Sequence, residues 1–183
     1  MTIRPCLLLS IAAFILPATG HCAEREEACV RGEPIPVFAA GQAGTKSHHF
    51  KAISSHEARE RVELSSGVLV AIHHLGCEYY VTTFRFESAD LLKNDASPKA
   101  VYRSAADQLR QLRRLKADPG FDLDLAATTL ESAVLSGQPV EFEQELPVAG
   151  DGTDFLQTQV KIDSAGRKTR TGFVQVTLFK GPL

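Results

Sequence analysis

Polar and apolar residues alternate in several short segments between residues 48 and 87. In residues 59–66, Val62 and Leu64 lie on one side of an extended segment and Glu63 lies on the other. Residues 48–54, 67–75 and 78–87 are also strand-like, and the last two are rich in β-branched and aromatic side chains, with Gly76 between them. This period and composition are typical of strands, and glycine is favoured in tight turns. The pattern therefore predicts an antiparallel meander.

The apolar spacing then changes to three and four residues, which predicts two helices. The first begins at Ser97 and Pro98, because a hydroxyl can cap a helix and proline suits the first helical position. Its apolar positions are Val101, Ala105, Leu109, Leu112 and Leu115. The second covers about residues 122–135, and its apolar positions are Leu123, Ala127, Leu130 and Val134.

Strand-like alternation returns in the last third of the chain. Residues 140–146, 154–163 and 171–179 predict three more strands, with hairpin turns at 150–152 and 164–166. Because runs of strands flank two adjacent helices, we predict an α+β fold. It consists of an antiparallel sheet of about six or seven strands with two helices packed on one face.

The first residues have the composition of a secretory signal peptide. Arg4 precedes an apolar run that ends at Pro17, and small residues follow. The run is too short to span a bilayer. We predict a signal peptide over residues 1–23, cleaved after Gly20 or Ala23, and a single periplasmic or secreted domain over residues 24–183. Its residues 24–47 are predicted to form an irregular N-terminal arm, and no transmembrane segment is expected in the mature chain.

Cysteine usage agrees with export. Of the four cysteines, Cys6 lies in the predicted signal peptide and Cys22 is kept only if cleavage falls after Gly20. Thiols in an oxidising compartment are usually paired. We therefore predict a disulfide between Cys29 and Cys77, which would tie the arm to the meander.

The charge distribution bears on possible partners. Twenty basic and 22 acidic residues give a net charge of -2, which does not favour nucleic-acid binding. The first predicted helix is basic, whereas residues 118–154 contain nine acidic residues and no lysine or arginine. Such patches can steer a charged protein partner, and an ordinary solvated surface is the alternative. The candidate partner-binding residues are Arg103, Arg110, Arg113, Arg114, Glu141, Glu143 and Glu145.

Histidines on the predicted strands suggest metal binding, because imidazole is a common metal ligand. Adjacent strand residues point to opposite faces, so neither His48 with His49 nor His73 with His74 can act as a pair. A site would need side chains from neighbouring strands, and the candidates are His49, His56 and His74. Ordinary strand histidines are the alternative, since the spacing matches no zinc motif.

The sequence contains no recognisable catalytic motif. Cys77 lies near His73 and His74, and thiol–imidazole pairs catalyse acyl transfer, but a disulfide would remove the nucleophile. Residues 65–67 lack the elbow of serine hydrolases, and residues 150–154 lack the full pattern of a calcium loop. We therefore predict no catalytic residues and no cofactor.

These features together favour a binding protein over an enzyme. A signal peptide, a small α+β domain and one disulfide make a build that is similar to many exported inhibitors and immunity proteins. This similarity of architecture implies a non-enzymatic protein that binds a partner protein in the cell envelope. The alternative is a periplasmic protein that binds a metal or a small molecule through its strand histidines.

Overall fold

The computed structural model describes residues 32–77, 79–153 and 156–182. The predicted signal peptide and the first part of the predicted arm lie outside these ranges. Residues 32–44 are irregular, as predicted for the arm, and the first strand begins at Thr45. None of the helices in the described ranges has the length and apolar character needed to cross a membrane.

In the described part of the chain, seven antiparallel strands form one sheet, and two helices pack on one of its faces, which confirms the predicted α+β fold. The strands are β1 (Thr45–Ala52), β2 (Ala58–Leu64), β3 (Leu69–Leu75), β4 (Tyr80–Ser88), β5 (Leu146–Thr153), β6 (Leu156–Lys168) and β7 (Thr171–Pro182). The helices are α1 (Pro98–Arg114) and α2 (Leu123–Leu135). The order across the sheet is β1-β2-β3-β4-β7-β6-β5, so the two meanders join where β4 pairs with β7.

Both helices begin at the residues that the sequence indicates. The hydroxyl of Ser97 accepts a hydrogen bond from the backbone N–H of Ala100, and Pro98 is the first residue of α1. The carboxylate of Asp122 accepts hydrogen bonds from the backbone N–H groups of Asp124 and Leu125, which caps α2. These side chains satisfy N–H groups that have no partner within the helix.

The core lies between the helices and one face of the sheet. Alternation along the strands directs their apolar residues to this side, where they pack against the apolar stripes of both helices. Its largest fully buried members include Tyr102, Phe38, Phe84, Phe86 and Leu130. Because the helices occupy this face, it is the opposite face of the sheet that meets solvent.

The predicted strand at residues 140–146 is wrong, since β5 begins only at Leu146. Glu143 has a left-handed backbone with φ 62°, and its N–H donates to the carbonyl of Ile162 at 2.8 Å. The hydroxyl of Tyr102 donates to the carbonyl of Glu141 at 2.6 Å. These tertiary bonds hold the segment in an irregular path despite its alternating sequence.

The two predicted hairpin turns are also misplaced. Residues 150–152 lie within β5, where the pairing with β6 shifts register between Pro147 and Gly152. Residues 164–166 lie within β6, next to a register shift between Ile162 and Ser164. Small and polar residues accompany β-bulges as well as turns, which explains both errors.

Candidate functional site

The sheet face opposite the helices, which we call the open face, carries a group of basic side chains. Alternation along β2 directs Glu60 and Val62 toward the helices and Arg59 and Arg61 to the open face. The register of the neighbouring strands brings further open-face residues beside these arginines, namely His49, Lys51, Ala71, His73 and Arg85. Four consecutive strands therefore contribute to one surface.

A depression of about 430 Å³ lies in the open face at Ala71. Register pairs Ala71 with Arg61 on one side and with Arg85 on the other, so a small side chain separates two long ones. Strand spacing places the backbones of the two arginines about 10 Å apart. The depression is also lined by His49, Lys51, Arg59, His73, Thr83 and Gln175.

Arg85 is held in the depression by contacts with two neighbouring side chains. Its Nε lies 2.6 Å from Oε1 of Glu87, and its guanidinium carbon lies 3.9 Å from the centre of the Phe173 ring. A guanidinium in this position gains from the negative face of the ring. Arg85 is therefore pre-positioned as one wall of the depression.

The other basic residues differ in how far they are neutralised within the chain. Nε2 of His73 lies 2.9 Å from Oε1 of Glu57, and this hydrogen bond is the main reason that the pKa of Glu57 lies below its ordinary range. Arg59 reaches the same carboxylate at 3.6 Å. Within the described ranges no carboxylate forms an ion pair with Arg61 or Lys51. These two side chains carry positive charge that is available to a partner.

A buried carboxylate lies on the covered face of the sheet. The side chain of Glu60 is fully excluded from solvent. Its Oε1 accepts hydrogen bonds from the backbone N–H of Phe38 at 3.0 Å and from Nε2 of His48 at 2.8 Å. Its Oε2 accepts from the backbone N–H of Val37 at 2.8 Å and from Nε2 of His74 at 3.3 Å. We call this group the Glu60 cluster, and it joins the arm to the first three strands.

The Glu60 cluster keeps its carboxylate ionised. Burial is the largest single influence on the pKa of Glu60 and raises it, but the four hydrogen bonds together lower it by more, so the pKa lies below its ordinary range. An ionised carboxylate has only acceptor sites, so each neighbouring Nε2 carries a hydrogen. A metal ion would have to displace these donors, which indicates a structural role for the cluster.

The three candidate metal ligands do not meet. His49 lies on the open face, His74 belongs to the Glu60 cluster on the covered face, and His56 lies between β1 and β2. In residues 32–77, 79–153 and 156–182 no group of three or more His, Cys, Asp or Glu side chains is arranged to hold a metal ion. The alternation that separates adjacent histidines also separates His49 from His74.

Cys77 is disulfide-bonded. The other cysteines of the chain, Cys6, Cys22 and Cys29, lie outside the described residues, so the pairing with Cys29 stays a prediction. A sulfur atom in a disulfide is not a thiolate and cannot act as a nucleophile. The nearby histidines therefore have no cysteine to activate.

Some of the predicted partner-binding residues are already paired within the chain. Both terminal nitrogens of Arg110 on α1 donate to the carboxylate of Glu131 on α2, and this lowers the pKa of Glu131. Nε of Arg113 lies 3.4 Å from Oδ2 of Asp124. These contacts join the two helices and neutralise part of the charge that the sequence assigns to separate patches.

The remaining predicted partner-binding residues lie at the surface. Arg103 and Arg114 are exposed on α1, and Glu141 and Glu145 are exposed on the connection that leads to β5. Nζ of Lys161 reaches Oε2 of Glu143 at 2.9 Å, so the third acid of this connection is also paired.

No protein-family model, no curated protein and no solved structure matches the chain with significant similarity. Its function has to be inferred from its own residues.

The sequence alone predicts that the arginines of β2 face solvent, but it does not predict the depression between Arg61 and Arg85. The alternation of residues 59–64 places Arg59 and Arg61 opposite Val62 and Leu64, which identifies them as solvent-facing. It also places Glu60 on the buried side, which indicates a polar cluster in the core. The depression itself depends on the register that sets Ala71 between two arginines, and the sequence does not specify that register.

Proposed function

We propose that the protein is exported to the cell envelope and binds an acidic partner protein there through its open face, as an inhibitor or immunity-type protein does. The observation that carries this proposal is the exposed depression at Ala71 with its unneutralised Arg61 and Lys51. The predicted signal peptide and the disulfide of Cys77 support the compartment.

The chemistry of the depression supports binding. Guanidinium and ammonium groups recognise carboxylates, and a guanidinium can do so with two parallel hydrogen bonds. Concentrated positive charge on a protein with net negative charge directs an acidic partner to one surface. The expected contribution is to association rate and selectivity, in addition to affinity.

The open face is a better binding surface than the helix layer. Arg110 and Arg113 of α1 already face carboxylates of α2, and the other face of each helix is buried against the sheet. By contrast, Arg61 is exposed and has no carboxylate partner in the described part of the chain. A partner bound there would gain new ion pairs without breaking existing ones.

Three variants of the mature protein test this proposal. Arg61→Glu replaces a positive charge of the depression with a negative one. Arg103→Glu makes the same change on α1, whose basic residues the sequence analysis names as partner-binding candidates. Lys99→Glu is a charge-matched control at another exposed position of α1. Wild type is used to isolate a partner from the periplasmic extract of the source organism. The purified partner is then titrated with each protein.

The expected result is a one-to-one complex that weakens as salt is added and that is lost with Arg61→Glu. The complex should be retained with Lys99→Glu and Arg103→Glu. If Arg103→Glu removes binding and Arg61→Glu does not, the helix layer is the binding surface and the proposal is wrong. Failure of the wild type to form any stoichiometric, salt-sensitive complex also contradicts it.

A further inference from the structure

A second depression adjoins the first on the open face. It has a volume of about 390 Å³ and lies beside Phe173 and the connection between β6 and β7. Arg85 lines both depressions, so they meet at this side chain. Lys168 and Arg170 line the second depression and extend the positive charge to the connection between β6 and β7.

Together the two depressions form a line of permanent cations, which we call the basic track. Its members are Lys51, Arg59, Arg61, Arg85, Lys168 and Arg170. Among the described residues, the only carboxylates that pair with the track are Glu57, with Arg59, and Glu87, with Arg85. The other four cations have no carboxylate partner within the described ranges. They lie in two groups, Lys51 and Arg61 in the first depression and Lys168 and Arg170 in the second, so each depression has an excess of positive charge.

Sheet geometry sets the dimensions of the track. Its ends lie four strand spacings apart, from β1 to β7, and about three same-face rows apart along the strands, from the level of Lys51 to that of Arg170. These steps correspond to about 19 Å and about 20 Å, which gives a diagonal of about 28 Å. An extended polypeptide of about eight residues spans this distance.

We infer that the basic track receives an extended acidic segment, about eight residues long, of the partner protein. The inference rests on the proposed function and specifies the partner's epitope. Such a segment can place a carboxylate near each unpaired cation and leave gaps where Glu57 and Glu87 stand. Alternate side chains of an extended segment point away from the sheet, so even consecutive acidic residues present separated carboxylates to the track.

Two other anionic occupants fit the track less well. Single-stranded nucleic acid usually needs aromatic rings on which bases stack, and Phe173 on the track is already covered by the guanidinium of Arg85. A membrane presents a continuous anionic surface, which would also meet Glu57 and Glu87 at the track. A polypeptide with separated carboxylates avoids both conflicts.

Labelled oligoglutamates test the inference on the mature protein by fluorescence anisotropy. We expect octaglutamate to bind at least about tenfold more tightly than triglutamate at low salt, because only the longer peptide spans the track. Arg61→Glu and Arg170→Glu should each weaken octaglutamate binding by about tenfold, whereas Lys99→Glu should change it by less than about twofold. Octaglutamate should also compete with the partner protein. Arg170→Gln replaces Arg170→Glu if the latter does not fold, as judged by thermal unfolding.

Equal affinities for the two peptides, or no effect of changing Arg170, would overturn the inference. So would tighter binding of anionic vesicles or of single-stranded DNA than of octaglutamate. The experiments distinguish failure of this inference from failure of the proposed function. If Arg61→Glu removes the partner but octaglutamate does not compete, the extended epitope is wrong and the open face remains the binding surface. If Arg61→Glu leaves the partner bound, both are wrong.

Discussion

Replacing Glu60 with glutamine should destabilise the fold strongly, because the two residues have the same shape but different hydrogen-bonding capacity. Each oxygen of Glu60 accepts one backbone N–H and one imidazole N–H. A glutamine keeps one oxygen and presents a donor at the other position. An imidazole can change tautomer and accept from that donor, but a backbone N–H cannot. Whichever way the amide turns, the N–H of Val37 or Phe38 is left without an acceptor.

The expected cost follows from these contacts. A buried N–H without an acceptor costs about 1–3 kcal/mol, and the remaining bonds lose their charge assistance, while removal of a buried charge offsets part of the loss. We expect Glu60→Gln to lower the free energy of unfolding by about 3 kcal/mol at neutral pH. For a domain of this size, that is a fall of about 6–12 °C in Tm.

The pH dependence provides a second signature. The pKa of Glu60 is lowered in the folded state, so its stabilising contribution is present above the unfolded pKa and is lost as pH falls through the folded pKa. The difference in Tm between wild type and Glu60→Gln should therefore be largest near neutral pH. It should narrow as pH falls below about 4.5.

Thermal unfolding followed by circular dichroism measures both effects. Glu57→Gln is the matched control, because it makes the same change at a partly exposed carboxylate that bonds His73 on the open face. It should lower Tm much less than Glu60→Gln. Equal Tm values for the two variants, or a difference that does not change with pH, would refute the reasoning.

Two further predictions concern the frame that holds the open face. A Cβ at Gly172 would lie 1.8 Å from the carbonyl oxygen of Leu91, whereas a Cβ at Gly166 would make only ordinary van der Waals contacts. Gly172→Ala should therefore lower Tm far more than Gly166→Ala in the same unfolding assay. Peptide mapping of the protein without reductant should recover Cys77 joined to Cys29. Recovery of Cys77 with a different cysteine would contradict the predicted pairing.

The general architecture could be predicted from the sequence because local signals agree with the fold. Ser97, Pro98 and Asp122 mark the helix starts through capping chemistry that needs no tertiary contact. The alternation around Val62 and Leu64 specifies which face of β2 is buried. These features depend on residues that are close together in the sequence, so they can be predicted from it.

The errors lie where distant contacts override local patterns. Residues 140–146 alternate like a strand, but bonds to Tyr102 and Ile162 hold part of the segment in an irregular path. The same limit applies to the binding surface. The depression exists because strand pairing sets Arg61 and Arg85 on either side of Ala71. This arrangement depends on the registers of the β2–β3 and β3–β4 pairings, which the sequences of the three strands do not specify.

The role of the open face is tested most directly by the dissociation constant of the complex with the purified partner, compared for Arg61→Glu and Lys99→Glu at the same salt concentration. We predict that Arg61→Glu raises the constant by at least about tenfold, because it removes one unneutralised cation and adds a repulsive charge. Lys99→Glu should change it by less than about twofold. Equal constants for the two variants would contradict the assignment of partner binding to the open face.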